Sequence, residues 1–132
     1  MVNFSYTILY VENVVKTIEF YEKCFGFKRN FISPDNDYGE LSTGSTTLSF
    51  ANHTLARSNF TNNYQKSNTQ SLPFGIEIGI TTTNVKELLE RVLENDGTLF
   101  EKPKVKPWGQ TVAYARDING FLLEICTPVN NV

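Results

Sequence analysis

A strand followed by a capped helix occurs twice in this chain, and this repeat restricts the possible folds more than any other feature of the sequence. Asn13 can cap the first helix and Gly26 can end it, and Asn84 and Gly97 can do the same for the second. Asn84 follows Asn13 by 71 positions, and Gly97 follows Gly26 by 71 positions. The repeat predicts two modules with the same fold.

The spacing of apolar residues predicts the elements of each module. Residues 4–11 and 74–82 are predicted to be strands, and residues 14–26 and 85–97 carry apolar side chains at helical spacing. Later in each copy, a turn that contains glycine leads into an apolar strand. Each module is therefore predicted to have the element order β-α-β-β-β.

The repeat also predicts the domain organisation, which is one α+β domain made of two modules. Module one is expected at residues 1–53, a polar linker or lid at 54–73, and module two at 74–132. A single helix covers only one face of a four-stranded sheet, so the opposite face needs the twin module or a second chain. We expect two curved sheets, edge to edge, that enclose a groove for a small molecule.

The composition argues against several classes of function. The formal net charge is −2 and no tract of five or more basic residues occurs, so we expect no nucleic-acid partner. No stretch approaches the roughly 20 apolar residues of a membrane span, and residues 1–12 do not have the pattern of a secretory signal. We therefore expect a cytoplasmic protein without a membrane partner, in which Cys24 and Cys126 are reduced, partly buried thiols.

Two glutamates interrupt predicted strands and are candidate site residues. Glu124 lies within the apolar run 121–126, and strand alternation turns it away from Leu123 and Ile125. Glu77 is predicted to face the same groove from the first strand of its module. Ionisation of both carboxylates in an apolar groove is energetically unfavourable. They would therefore share a proton, hold a metal, pair with a cationic ligand or contact water. The alternative is that each bonds to a nearby Tyr, Ser or backbone N–H.

Two stretches of the chain resemble the signature segments of the vicinal oxygen chelate superfamily. They are ILYVENVVKTIEFYEKCFGF at 8–27 and ARDINGFLLEICTP at 115–128. Members of this superfamily include glyoxalase I, extradiol dioxygenases, fosfomycin-resistance enzymes and bleomycin-resistance proteins. The resemblance implies paired βαβββ modules, as in glyoxalase and bleomycin-resistance proteins, around a U-shaped mixed sheet, which agrees with the repeat.

The resemblance also implies where a metal would bind. Metalloenzymes of the superfamily place one ligand on the first strand and one on the last strand of each module, and these positions fall on Tyr6, Ser49, Glu77 and Glu124. Only Glu124 keeps the usual ligand, and Glu77 is a substitute for the usual His. Because phenol and hydroxyl groups are poor ligands for divalent metals, we expect no cofactor. A divalent metal held by Glu77 and Glu124 stays the alternative.

Three further residues are candidates for ligand binding. Tyr38 and Trp108 match at an offset of 70 positions, each before a strand, and are predicted either to stack on a flat ligand at the groove rim or to plug the sheet ends. His53 follows the fourth strand and is expected to be a surface or capping residue, or else a ligand or base.

Two functions follow from these observations. In the first, a metal-free protein resembling the bleomycin-resistance branch sequesters an aromatic or cationic compound, with Glu77 and Glu124 as counter-charges. In the second, a metal-dependent lyase, transferase or dioxygenase uses the two glutamates with Tyr6 or His53 as a third ligand. Catalytic metal sites normally need about three protein ligands, so we favour the first function. The resemblance also implies a homodimer, because in this fold the groove usually needs modules from both chains.

Overall fold

A computed structural model describes residues 1–129 of the chain. The chain divides into two compact units, which comprise Met1–Lys66 and Ser67–Val132. The boundary falls inside the segment 54–73 that the sequence predicts as a linker, so each unit contains part of it. The last three residues of the predicted second module lie outside the described residues.

The first unit is a βαβββ module followed by a short helix. Its elements are β1 (Thr7–Val11), α1 (Val14–Phe25), β2 (Lys28–Ile32), β3 (Tyr38–Ser42), β4 (Thr47–Asn52) and α2 (His53–Arg57). The strands form one sheet in the order β1-β4-β3-β2. β1 runs parallel to β4, and the other pairs are antiparallel. The short helix α2 is absent from the sequence prediction, because the polar residues after β4 have no helical periodicity.

The second unit repeats the same module. Its elements are β5 (Glu77–Thr81), α3 (Val85–Glu94), β6 (Thr98–Val105), β7 (Thr111–Arg116) and β8 (Leu122–Cys126). The strand order β5-β8-β7-β6, with β5 parallel to β8, is the counterpart of that in the first unit. The predicted α+β class and the repeated βαβββ order are therefore confirmed.

The helix ends follow the capping signals in the sequence. The Asn13 side chain accepts a hydrogen bond from the Lys16 N–H at 2.9 Å, and Gly26 ends α1 with a φ of 71°. The Asn84 side chain accepts from the Glu87 N–H at 3.1 Å and donates to the Glu87 carboxylate. α3 ends at Glu94, before the predicted stop at Gly97.

Each helix packs on one face of its own sheet, and the core of each unit lies between them. In the first unit, α1 supplies Ile18 and Tyr21, and the sheet supplies Leu41 and Phe50, all fully buried. In the second unit, the buried residues are Leu88, Leu89 and Val92 from α3 and Ala113, Ala115, Leu123 and Ile125 from the sheet. The face of each sheet opposite its helix carries the candidate site residues Ser49 in the first unit and Glu124 in the second.

The second and third strands of the two units differ in length. Lys28 pairs with Ser42, 14 positions later, whereas the equivalent Thr98 pairs with Arg116, 18 positions later. The β6–β7 hairpin is therefore four residues longer than the β2–β3 hairpin. β6 continues through Pro103, which an edge strand tolerates because its outer N–H groups need no partner in the sheet.

Within residues 1–129, no helix is both long enough and apolar enough to cross a membrane.

Candidate functional site

The register of the second sheet brings one polar group of side chains together. Glu124 in β8 pairs with Gly79 in β5 and with Tyr114 in β7. Cys126 lies two residues after Glu124 in β8, and Glu77 lies two residues before Gly79 in β5, so both are on the same face of the sheet as Glu124. Since Leu123 and Ile125 are fully buried on the α3 side, alternation turns this polar group to the opposite face.

Gly79 keeps the polar group open on the β5 side. A Cβ added at Gly79 would meet only the Oε1 atom of Glu124, at 3.7 Å. The position in β5 that pairs with Glu124 therefore carries no side chain.

Glu124 accepts two hydrogen bonds from neighbouring side chains. The Tyr114 hydroxyl donates to Oε2 at 3.2 Å, and the Cys126 thiol donates to Oε1 at 3.3 Å. Burial raises the pKa of the Tyr114 phenol, and the nearby carboxylates raise it further. Burial, followed by the hydrogen bond to Glu124, raises the pKa of the Cys126 thiol to about 11. Both donors thus stay protonated near neutral pH, and Cys126 is a hydrogen-bond donor rather than a nucleophile.

Glu77 is the more exposed carboxylate of the pair. Burial raises its pKa, and the charge of Glu124 raises it further. The two glutamates therefore interact electrostatically, as expected for carboxylates that share a face. Ile76, the residue before Glu77, precedes β5 and is 65% exposed.

The matching face of the first sheet has a different polar group. Ser49 pairs with Glu40, and Tyr38 lies two positions from Glu40 on the same strand. The Tyr38 hydroxyl donates to Glu40 at 3.4 Å. Burial raises the pKa of Tyr38, whereas the adjacent Ser49 hydroxyl lowers it. The Ser49 oxygen is buried, and Tyr6 lies before β1, half exposed.

His53 is a buried residue, so the surface position among its expected roles is wrong, and the capping, ligand and base roles stay predictions. It begins α2 and is 5% exposed, because the following chain folds back over it. Its Nδ1 atom lies 2.5 Å from the Tyr64 hydroxyl, and the two rings stack. Its Nε2 atom has no hydrogen-bond partner among residues 1–129 and lies 3.7 Å from the Glu12 carboxylate. Burial lowers the pKa of His53, while the charge of Glu12 opposes that change.

Trp108 is not the structural counterpart of Tyr38, so the predicted match at an offset of 70 is wrong. Tyr38 pairs with Ala51 in the first sheet, and the equivalent pair in the second sheet is Val112 with Cys126. The longer β6–β7 hairpin accounts for the shift. Trp108 lies in its turn, 66% exposed, and its Nε1 donates to the Gln110 side chain at 2.8 Å.

The resemblance to the superfamily implies four metal-ligand positions, which are Tyr6, Ser49, Glu77 and Glu124. Their side chains do not fit an ordinary divalent-metal site. In the second unit, Glu77 and Glu124 are joined by a phenol and a thiol that both stay protonated. In the first unit, Tyr6 and Ser49 supply a phenol and a hydroxyl, which are weak ligands. No group of three His, Cys, Asp or Glu residues suited to a metal ion occurs in residues 1–129. We therefore propose no reaction step at a metal ion.

Sequence reasoning missed Tyr114 and Cys126, which contact Glu124 directly. Both lie on strands with clear alternation, so their face could have been predicted. Their pairing with Glu124 could not, because the register between β7 and β8 depends on the turn that joins them. Tyr64 was missed because it lies in the polar segment.

Comparison with known proteins identifies the family. A model of the glyoxalase-like domain matches residues 4–130. A putative lactoylglutathione lyase from Brassica oleracea var. gemmifera is 30% identical over an alignment that covers 92% of this chain and 43% of that protein. This chain thus spans less than half the length of that relative.

Solved structures share the fold. A glyoxalase-related enzyme from Fulvimarina pelagi superposes with a TM-score of 0.80 and 17% identity, over 97% of this chain and 89% of that one. A glyoxalase/bleomycin resistance protein/dioxygenase family enzyme from Burkholderia phytofirmans gives a TM-score of 0.73 and 20% identity, over 96% of this chain and 98% of that one. With the family match covering almost the whole sequence, the chain belongs to the glyoxalase-like domain family of the vicinal oxygen chelate superfamily.

Proposed function

We propose that this chain is a small-molecule binding protein of the glyoxalase/bleomycin-resistance type, and that its ligand carries a cationic group. The ligand's cation would contact Glu77 and Glu124, and an aromatic body would contact the exposed side of Tyr114. The observation that carries the proposal is the carboxylate pair on the face opposite α3, where Gly79, the β5 partner of Glu124, leaves space beside Glu124.

Electrostatics support a cationic ligand. The charge of Glu124 makes ionisation of Glu77 less favourable, and a cation bound between them would remove that repulsion. The hydrogen bonds from Tyr114 and Cys126 hold the Glu124 carboxylate in one orientation. A fixed anion loses little conformational entropy when it pairs with a ligand.

The metal-dependent alternative is supported by the name of the Brassica relative, a putative lactoylglutathione lyase. That name was given to a longer protein, of which the alignment covers only 43%. The donor set at Tyr6, Ser49, Glu77 and Glu124 argues against a shared metal mechanism, so we keep the binding function.

The first prediction tests the carboxylates with flat aromatic cations. N-methylquinolinium, ethidium and berberine are titrated into the purified protein by calorimetry, with neutral quinoline at about pH 7.5 for comparison. We expect at least one cation to bind more tightly than quinoline. Glu124→Gln should weaken that binding by about 1–3 kcal/mol, or roughly 5- to 150-fold, because a charge-assisted contact is lost.

Glu90→Gln is the matched control, since Glu90 is an exposed residue of α3 and the substitution removes the same charge. It should leave the affinity unchanged. Glu124→Gln should also leave the fold intact, because glutamine can still accept the Tyr114 hydrogen bond. Equal losses in both variants would show a general charge effect and would contradict the site. Strong binding of Zn²⁺ or Ni²⁺ that is lost in Glu124→Gln would favour the metal-dependent alternative.

A further inference from the structure

An open pocket lies along β6 and includes Tyr114, which contacts Glu124. Its volume is about 670 Å³, and it is lined by residues of β6, its turn and β7. Four of its side chains are charged: Lys102, Lys104, Lys106 and Glu101. Its apolar and aromatic lining residues are Leu99, Phe100, Pro103, Val112 and Tyr114. The pocket therefore combines an apolar wall with a net positive charge.

Tyr114 belongs to both the pocket and the carboxylate group. Its ring lines the pocket, while its hydroxyl donates to Glu124. Lys104 pairs with Val112, which lies two positions from Tyr114 on the same face. Glu124 and Lys104 are separated by two strand spacings across the sheet and by two residues along β7. Their Cα atoms are therefore about 12 Å apart. Flexible lysine side chains shorten the gap between the opposite charges.

The lysines are free to meet a ligand. Among residues 1–129, none of the three ammonium groups forms an ion pair with a carboxylate of the protein. Lys102 and Lys104 are exposed, and Lys106 is half-buried. The equivalent β2–β3 hairpin is four residues shorter, so this pocket is a feature of the second unit.

We propose that the ligand is bipolar, with a cationic group at Glu77 and Glu124 and an anionic group, such as a carboxylate or sulfonate, at the lysines of β6. Its apolar body lies across Tyr114. This inference deepens the proposed function and rests on it for the cationic half. The anionic half rests on the pocket alone.

Three matched probes separate the two halves. They are N-propylquinolinium, which is a cation; 3-(quinolinium-1-yl)propane-1-sulfonate, which adds an anion on the same chain; and 3-(1-naphthyl)propane-1-sulfonate, which keeps only the anion. Each is titrated into the full chain by calorimetry. We expect the bipolar probe to bind at least about tenfold tighter than the cation, since it gains a second charge-assisted contact.

Variants assign the gain to the lysines. Lys104→Gln combined with Lys106→Gln should remove the tenfold advantage and leave the affinity for the cation unchanged. Lys86→Gln, an exposed α3 substitution, is the control and should keep the advantage. Equal affinities of cation and bipolar probe would overturn the bipolar ligand while leaving the proposed function standing. Lysine-dependent binding of the naphthyl sulfonate without any binding of the cation would uphold the pocket and refute the proposed cationic site.

Discussion

At the scale of single residues, the carboxylate pair has a measurable electrostatic cost. The raised pKa of Glu77 means that the folded state holds its proton more tightly than the unfolded state does. The stability that this protonated group contributes is complete below the ordinary value of 4.5 and is lost as pH rises through the raised value.

Glu77→Gln should therefore raise the free energy of unfolding at about pH 7 and give no gain below about pH 4.5. Urea denaturation across this range measures both quantities. Glu90→Gln supplies the control, because it removes a carboxylate from an exposed helical position. A gain of the same size at every pH would mean that packing, and not charge, is responsible.

His53 gives a second residue-scale prediction with the opposite sign. Its lowered pKa means that stability is complete above the ordinary value of 6.5 and is lost as the pH falls. The charges of Lys66 and Arg57 act in the same direction, and Glu12 acts against it. Unfolding experiments between about pH 7.5 and pH 5.5 should show a steeper loss in the wild type than in His53→Gln. Parallel curves would mean that protonation of His53 does not change the free energy of unfolding.

The residue scale also shows what a sequence can and cannot reveal. The face of Glu124 was predictable, since alternation within an apolar strand is a local property. The burial of His53 was not, because it depends on Tyr64, which returns through a segment without periodicity. The partners of Glu124 depend on the register between β7 and β8, which could not be predicted from the sequence pattern.

At the scale of elements, the close approach of α1 to β3 depends on Gly39. A Cβ at this position would lie 3.0 Å from the Val14 side chain and 3.2 Å from Ile18. We expect Gly39→Ala to lower the free energy of unfolding by about 1–3 kcal/mol through overpacking, as measured by urea denaturation. Gly75→Ala is the control, because its Cβ would meet no atom within 4 Å. Similar losses in both variants would point to a backbone effect instead.

Elements with local signals were predictable. Asn13 and Asn84 begin the two helices as their capping chemistry predicts, and the strand alternation correctly assigns β8. β6 continues through Pro103, which a central strand would not accept, because β6 lies at the edge of its sheet. Local rules therefore identified the elements of the two βαβββ modules but not α2, and tertiary pairing set the strand lengths.

At the scale of the whole molecule, the assembly state stays a prediction. Several large apolar side chains near the starts of β1 and β5 are exposed, among them Phe4 at 86% and Ile76 at 65%. Exposed apolar groups of this size commonly mark a protein contact. We expect a symmetric homodimer, which light scattering on dilution should detect, and Phe4→Ser with Ile76→Ser should shift it towards monomer. A concentration-independent monomer would contradict the homodimer.

A tandem duplication followed by a later insertion would produce the architecture of this chain. A sheet accepts extra residues only at turns and bulges, and the four added between β6 and β7 leave the pairing of β7 with β8 intact. The second copy could thus acquire a basic pocket while the first kept a plain hairpin. Because the ends of both hairpins occupy matching places in their sheets, grafting residues 98–116 in place of residues 28–42 offers a direct route to a chain with two such pockets.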